Sequence, residues 1–186
     1  MKKQPGSADA EALLARAELL LTSDAVLEAV RRVGSEITAV VKGHNPLVLT
    51  VMRGGVVFAG HLLPVLAFPL DFDYVDATRY GSQTSGGRLQ WRVDVPDGVR
   101  GRTVVVVDDI LDAGTTLAAI RDRLLEKGAA KVWLAVFADK KTGRSKPVAA
   151  DFVGVSVPDR FVFGFGMDIR GMWRNLPAVY ALDPND

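Results

Sequence analysis

The sequence predicts an α/β fold, in which a mainly parallel central sheet is flanked by helices within one domain of 186 residues. Short apolar runs rich in β-branched residues, at Leu47–Met52, 104–107 and 131–138, alternate with segments of helical periodicity. The four consecutive valines at 104–107 have no polar alternation, which is typical of a strand buried on both faces in the middle of a parallel sheet. Helical connections between such strands indicate right-handed parallel units.

The remaining elements follow from hydrophobic periodicity and from turn residues. Ser23 has the position of an N-cap for the second helix. The polar, glycine-rich loop 79–88 separates two strands, which together form a two-stranded flap. The predicted elements are, in order, helix 10–21, helix 23–41, strand Leu47–Met52, helix 56–66, strand 72–78, strand Leu89–Val93, strand 104–107, helix 115–127 and strand 131–138.

Composition limits the possible classes of function. Hydrophobic residues make up 48% of the chain and charged residues 24%, and the formal net charge is only +1. Because nucleic-acid-binding proteins present a strongly basic face, we expect no nucleic acid as a partner. The absence of cysteine excludes a thiol nucleophile and a disulfide framework. No apolar run has the length of a membrane span or the form of a signal peptide, so we expect a soluble cytoplasmic protein with no membrane partner.

The strongest functional signal is the acidic end of the valine strand. Asp108, Asp109 and Asp112 follow the valines within five residues, and a small-residue turn then leads into a helix at Thr115. Adjacent carboxylates repel each other and need a cation nearby, while a helix N-terminus with threonine hydroxyls binds phosphate. Open α/β sheets bind their ligands at this end of their strands. Acids and threonines that only cap a strand and a helix are the alternative interpretation. The segment alone predicts a site for magnesium and a sugar phosphate.

The segment VVVVDDILDAGTT resembles the phosphoribosyl-pyrophosphate (PRPP) signature of the type I phosphoribosyltransferases. Its form with Asp112 is similar to that of the 6-oxopurine branch, the hypoxanthine-guanine phosphoribosyltransferases. The resemblance covers about residues 47–182 and implies a single phosphoribosyltransferase domain over 1–186. The core would span about 47–140, and a small hood would combine about 140–186 with the N-terminal helices. A flexible β-flap would cover the site, and Mg²⁺ would be the cofactor.

A second anion-binding arrangement follows the first apolar strand, where Arg53-Gly54-Gly55 leads into a helix. A plain tight turn is the alternative. Beside the acidic segment, these residues resemble the family's pyrophosphate loop, although many relatives carry lysine at the position of Arg53. The resemblance implies that Arg53 and Gly54 bind pyrophosphate together with Arg174. It also implies a non-proline cis peptide at Met52–Arg53 or Arg53–Gly54.

The flap loop predicts a lid that closes over the reacting centre and excludes water. A hairpin tip without such a role is the alternative. The resemblance assigns Arg79 and Tyr80 to the start of the family's mobile catalytic loop.

The segment 150–174 places aromatic residues between glycines, which suits a binding site for a flat heterocycle. A small second core is the alternative. The segment resembles the base-binding hood of the 6-oxopurine enzymes. The resemblance implies that Lys140 donates to the purine 6-oxo group, that Phe161 stacks on the base, and that the Val162 backbone binds its Watson–Crick edge. Asp168 would belong both to the purine site and to the magnesium site.

The resulting hypothesis is a purine salvage enzyme that transfers 5-phosphoribosyl from PRPP to hypoxanthine or guanine, giving IMP or GMP plus pyrophosphate. Asp112 would be the general acid/base at the purine N7. The implied PRPP-binding residues are Asp108, Asp109, Asp112, Ala113, Gly114, Thr115 and Thr116, and the implied magnesium ligands are Asp108, Asp109 and Asp168. A xanthine-preferring phosphoribosyltransferase and a PRPP-sensing, nucleic-acid-binding regulator are the alternatives. The family resemblance and the apolar N-terminal helices favour a homodimer or homotetramer.

Overall fold

The computed structural model describes residues 7–79 and 89–183. The helices within these ranges are Ser7–Arg16 (α1), Ser23–Val41 (α2), Gly55–Leu62 (α3) and Thr115–Glu126 (α4), with short 3₁₀ helices at Leu63–Val65 and Asp97–Val99. The strands are Glu18–Leu21 (β1), Leu47–Met52 (β2), Asp71–Arg79 (β3), Leu89–Val93 (β4), Thr103–Leu111 (β5), Lys131–Lys141 (β6), Phe152–Pro158 (β7), Val162–Phe163 (β8) and Val179–Ala181 (β9).

Six strands form the central sheet, in the order β4-β3-β2-β5-β6-β7. All neighbouring pairs are parallel except β3 and β4, which pair antiparallel as the predicted flap. β5 lies inside the sheet between β2 and β6, and all four of its valines are fully buried. The predicted α/β architecture with a mainly parallel sheet is therefore confirmed.

Helices cover both faces of this sheet because successive strand residues point to opposite sides. Val105 and Val107 pack into one apolar cluster with the buried faces of α2 and α3. Val104 and Val106 pack into a second cluster with Leu117, Ile120 and Leu124 of α4. With both faces covered, the polar groups of β5 can reach a ligand only at the carboxyl end of the strand.

The predicted helix 10–21 is wrong in its second half. The helix ends at Arg16, and Glu18–Leu21 is a strand that pairs antiparallel with β9. Apolar residues in so short a run suit either a helix or a strand, and pairing with the far end of the chain decides between them. The N-cap of α2 is Thr22 and not Ser23, since the Thr22 side chain accepts a hydrogen bond from the Ala25 N–H.

Other boundaries also differ from the predictions. α3 ends at Leu62 and passes into a 3₁₀ turn that contains Pro64, which has no N–H to continue the helix. β5 and β6 extend past the apolar runs because they pair as far as Leu111 and Asp139. The carboxylates of β5 and Lys140 of β6 therefore stand on regular strands.

No helix of the described residues combines the length and the apolar character needed to cross a membrane.

The two ends of the described chain form a second, smaller unit. Its three-stranded sheet has the order β1-β9-β8, and α1 packs beside it through a small apolar cluster that contains Leu13, Phe163 and Ile169. The Trp173 indole N–H donates to the Ala10 carbonyl at 2.9 Å. Arg160 binds both the Leu182 carbonyl and the Glu18 carboxylate, so the N-terminal and C-terminal segments hold each other in place.

Thr50 in the middle of β2 offers a test of the packing. Its side chain is buried, and its hydroxyl has no hydrogen-bond partner among the described residues. An unpaired buried hydroxyl is unfavourable, so we expect Thr50→Val to raise the free energy of unfolding by about 1 kcal/mol. Urea unfolding measures the change. Thr50→Ser is the matched control, because it keeps the hydroxyl, removes the methyl group and should destabilise; a destabilised Thr50→Val protein would contradict the argument.

Candidate active site

A cleft of about 420 Å³ opens at the carboxyl ends of β2 and β5. The structure brings together there residues that were predicted from three separate segments of the sequence. From those segments, the cleft is lined by Arg53, Gly54, Asp108, Asp109, Asp112, Ala113, Gly114, Thr115, Thr116, Asp168 and Arg174.

Asp108 and Asp109 are the buried acids of this cleft, at 9% and 8% exposure. The Asp109 N–H donates to the Asp108 carboxylate at 2.9 Å. Burial raises the pKa of Asp108 well above its ordinary value, and the neighbouring Asp109 carboxylate adds to this rise. Burial also raises the pKa of Asp109, against the opposing effects of its hydrogen bond with Asp108 and of the Arg174 charge. The two carboxylates thus form a site that favours a cation.

Arg174 is the cationic side chain nearest to this pair in the described structure. Its guanidinium lies 3.7 Å from the Asp109 carboxylate, donates to the Gly166 carbonyl at 2.6 Å and forms an ion pair with Asp168. The Gly171 N–H holds the second oxygen of Asp168 at 2.7 Å. These contacts join the segment 166–174 to the end of β5.

Two glycines allow the backbone segments around Asp109 to approach closely. A Cβ at Gly54 would lie 2.0 Å from an Asp109 carboxylate oxygen. Gly166 has a φ of +101°, and a Cβ there would lie 2.4 Å from the Gly54 carbonyl oxygen. Any larger residue would push these segments apart. The Met52–Arg53 peptide bond beside Gly54 is cis, at one of the two positions that the resemblance implied.

The turn after β5 presents open N–H groups to the cleft. Gly114 is the N-cap of α4 with a φ of +76°, a left-handed conformation that suits glycine. A glycine cap brings no side-chain acceptor to the first N–H groups of the helix. The N–H groups and hydroxyls of Thr115 and Thr116 are therefore available to an anion at the positive end of the helix dipole.

Lys140 and Asp112 form an ion pair of 2.9 Å between the ends of β6 and β5. Lys140 is largely buried at 12% exposure, whereas Asp112 is 54% exposed. Asp112 lines the acidic cleft, and Lys140 lines a second cavity of about 570 Å³. The pair therefore stands where the two cavities meet.

The second cavity contains part of the predicted base site. Phe161 lines it and is 51% exposed, so its ring is free to contact a ligand. Val162 is buried and pairs with Ala181 in the small sheet. Asp168 lies instead at the acidic cleft. Tyr80 and the loop as far as Arg88 are outside the described residues, and the backbone of Arg79 ends β3.

Several residues of the second cavity were not predicted from the sequence. They are Asp159, Arg160, Ile169, Arg170, Leu182 and Asp183. Leu182 directly follows β9 and lines the cavity, and its carbonyl accepts hydrogen bonds from the Arg160 guanidinium. Only the pairing of β8 with β9 brings this segment near Phe161, so no local pattern could have indicated it.

The family model for the phosphoribosyl transferase domain matches residues 17–170. This chain belongs to the phosphoribosyltransferase family. It is 32% identical over 168 residues to the hypoxanthine-guanine phosphoribosyltransferase of Bacillus subtilis (strain 168), with 90% of this chain and 93% of that protein covered. It is 37% identical over 168 residues to the bifunctional protein TilS/HprT of Listeria innocua. The match covers 90% of this chain but only 26% of that longer protein.

Solved structures agree with this family assignment. The phosphoribosyltransferase superposes on the crystal structure of a hypoxanthine phosphoribosyltransferase from Staphylococcus aureus with a TM-score of 0.87 and 27% sequence identity. The match covers 94% of this chain and 96% of that chain. The predicted type I phosphoribosyltransferase fold is therefore confirmed.

The donor set of the phosphoribosyltransferase fits a magnesium ion that arrives with its substrate. Among the described residues, no group of three or more histidine, cysteine or acidic side chains could hold a metal ion by itself. Mg²⁺ usually takes only one or two carboxylates from the protein and completes its shell with phosphate oxygens and water. Asp108 and Asp109 supply such a pair in the same cleft as the open N–H groups at the start of α4.

The raised pKa of Asp108 gives a stability test in the absence of metal. A carboxyl group whose pKa is raised on folding makes the protein less stable as the pH rises above the unfolded-state pKa. We expect Asp108→Asn to raise the Tm by about 2–4 °C at neutral pH, and this gain should shrink toward zero near pH 4. Calorimetry with a chelator measures it, and Glu28→Gln on the exposed face of α2 is the control. A lower Tm at neutral pH would contradict the penalty assigned to the buried pair.

Proposed function

We propose that this phosphoribosyltransferase is a purine salvage enzyme that transfers 5-phosphoribosyl from PRPP to N9 of hypoxanthine or guanine, giving IMP or GMP and pyrophosphate. The observation that carries the proposal is the Lys140–Asp112 pair between the two cavities. A 6-oxopurine presents O6 and N7 as neighbouring polar atoms on one edge. An ammonium next to a carboxylate matches that edge, because the lysine donates to O6 while the carboxylate takes a proton from N7.

The acidic cleft is the binding site for PRPP in this proposal. The open N–H groups and hydroxyls of residues 113–116 bind the 5-phosphate. Asp108 and Asp109 hold the ribose hydroxyls, directly or through magnesium. Arg53, the Gly54 backbone and Arg174 bind the pyrophosphate that leaves. The position of Arg174, 3.7 Å from Asp109, supports this assignment because it places a cation beside the ribose site.

Magnesium would be held by Asp108, Asp109 and Asp168, and when bound it would neutralise charge on the pyrophosphate and on the buried acids. This role explains why the folded chain keeps two adjacent carboxylates buried. Asp168 keeps its place through Arg174 and the Gly171 N–H.

The chemical step breaks the bond between C1′ of the ribose and pyrophosphate and forms the bond from C1′ to purine N9. Positive charge develops on the ribose ring, as in other glycosyl transfers. The electron pair of the broken bond leaves with pyrophosphate, and the N7 proton passes to Asp112 as general base. The lid that starts at Arg79 and Tyr80 would exclude water, which would otherwise attack the same carbon.

The hood selects and orients the base. Phe161 stacks on the purine, and Val162 binds its Watson–Crick edge through the backbone. Asp168 belongs to the side of the purine site that faces the magnesium site. We further infer one catalytic domain with a core of about 47–140 and a hood of about 140–186 plus the N-terminal segment. The joint packing of α1, β1, β8 and β9 supports this division. A cytoplasmic homodimer or homotetramer completes the proposal.

A xanthine-preferring enzyme is the second candidate, and one residue favours it. Arg170 lines the cavity of Phe161 and Lys140. Xanthine carries an acceptor oxygen at C2, to which a guanidinium can donate, whereas guanine carries an amine donor there.

The direct test is a spectrophotometric assay with PRPP, magnesium and each of hypoxanthine, guanine, xanthine and adenine. We expect turnover of hypoxanthine and guanine that requires both PRPP and magnesium, and no significant turnover of adenine. A dominant rate with xanthine would favour the second candidate. The absence of turnover with every 6-oxopurine would refute the proposed function.

Asp112→Asn tests the acid/base role. The amide cannot accept the N7 proton, so we expect kcat to fall by about 10²- to 10⁴-fold. The KM for PRPP should change by less than about threefold, because the other groups that are proposed to bind PRPP are unchanged. Asp122→Asn, at an exposed position of α4, is the matched control. Equal losses in kcat and in PRPP affinity would argue that Asp112 only binds substrate.

Lys140→Ala tests base selection. The buried ammonium finds no acceptor on the 6-amino group of adenine, which penalises adenine by several kcal/mol. We expect the ratio of kcat/KM for hypoxanthine to kcat/KM for adenine to fall by about tenfold or more. Lys141→Ala is the control, because that side chain is exposed. An unchanged ratio in Lys140→Ala would show that another group rejects adenine.

A further inference from the structure

Lys146 is a buried lysine that no step of the proposed reaction uses. Its side chain is only 13% exposed. Its Nζ donates to the Leu111 carbonyl at 2.7 Å, the Lys140 carbonyl at 2.7 Å and the Asp139 carboxylate at 2.6 Å. An ammonium group has three donors, and all three are taken by these acceptors. No donor of Lys146 is left for a substrate.

The three acceptors belong to the two strand ends that carry the Lys140–Asp112 pair. Leu111 immediately precedes Asp112, and Lys140 is bound through its own carbonyl. Leu111 and Asp139 are the last register pair of β5 and β6, so the ladder between these two strands ends before Asp112 and Lys140, although Lys140 still pairs with Val157 of β7. The Lys146 ammonium therefore crosslinks the two strands at the point where their own hydrogen bonds end.

The same segment also contacts the phosphate-binding turn. A Cβ at Gly114 would lie 3.5 Å from the Lys146 Cβ and 3.4 Å from the Pro147 Cδ. A Cβ at Gly114 would thus be in ordinary van der Waals contact with these atoms, so residues 146–147 lie beside the turn.

The charge of Lys146 is balanced locally. Burial acts to raise the pKa of Asp139, but hydrogen bonds from Lys141 and Lys146 outweigh it, and the pKa of Asp139 is lowered. The Asp139 carboxylate therefore stays ionised beside the ammonium at neutral pH. Because this ion pair is largely buried and fully hydrogen-bonded, removing one partner is costly. Its position is consequently better defined than that of an exposed pair.

We propose that Lys146 is a positioning residue for the purine transfer: it holds Asp112 and Lys140 at the spacing of purine N7 and O6. The inference rests on the proposed function and deepens it. Both turnover and the rejection of adenine depend on this spacing, and Lys146 acts on them only through the two strand ends. It is not a catalytic residue, since its donors are already used within the protein.

The test compares Lys146→Met with wild type in the purine assay. Methionine has a similar length and no donor, so the Leu111 and Lys140 carbonyls lose the Lys146 ammonium, while the Lys140 carbonyl keeps the Thr142 N–H at 3.1 Å. We expect kcat with hypoxanthine to fall by about 10- to 100-fold, and the hypoxanthine-to-adenine ratio of kcat/KM by about tenfold. The KM for PRPP should change by less than about threefold. The ratio does not depend on how much of the protein is folded, so a general loss of stability does not alter it.

Two comparisons separate positioning from a structural role. Lys141 is the other partner of Asp139, and its side chain is 61% exposed. Lys141→Met should leave the ratio unchanged. In a Lys140→Ala background, Lys146→Met should no longer change the ratio, because residues that act through one group are not additive. Additive effects on the ratio would overturn the proposal.

Lys146→Gln keeps the test valid if the methionine variant does not fold. Its amide supplies two donors instead of three, and we expect an intermediate fall in the same ratio. A wild-type ratio in either folded variant would overturn the inference while leaving the proposed function intact. Wild-type protein that is inactive with every purine would instead refute the proposed function.

Discussion

The burial of Asp108 and Asp109 at the end of the central strand is the constraint on which the site depends. Helices cover both faces of β5, so its two carboxylates share a small polar opening at the edge of the sheet. Lost hydration is unfavourable for both carboxylates and raises both pKa values, and the charge of Asp109 adds to the rise at Asp108. A bound cation with its polyphosphate relieves this penalty. The folded protein thus keeps a local instability that its proposed substrate removes, a common cost of function.

The surrounding charges are arranged so that few of them neutralise that pair. Arg174 is shared with Asp168 and the Gly166 carbonyl, Lys140 is paired with Asp112, and Lys146 is used within the scaffold. The cleft therefore retains excess negative charge at Asp108 and Asp109, the proposed ribose site, and open N–H groups at the start of α4, the proposed phosphate site. This separation of charge orients a ligand that carries both a metal ion and phosphates. The same arrangement puts Lys140, the proposed base-selecting residue, in direct contact with Asp112, the proposed acid/base residue.

Local sequence patterns predicted the secondary structure at the centre of the fold correctly. They gave a wrong prediction where segments far apart in the chain pair with each other. The valine run, the acids and the helix start form one contiguous stretch, and their burial and turn geometry follow from nearest neighbours. The segment Glu18–Leu21 was predicted to be helical because its apolar spacing fits a helix, yet β9 pairs with it as a strand. The site residues on other segments, such as Arg174, were implied by family resemblance and not by local chemistry.

The sequence by itself determined a parallel α/β core, because β-branched runs act over a few residues. It also led to the proposal of a metal and sugar-phosphate site after the central strand, because adjacent acids and a glycine turn stand together there. The tertiary structure alone decided which side chains surround that site. It joined the two chain ends into one unit, brought Leu182 to the cavity of Phe161, and set Lys146 between the ends of β5 and β6. Such contacts depend on strand register and packing between segments far apart in the chain, which no local pattern encodes.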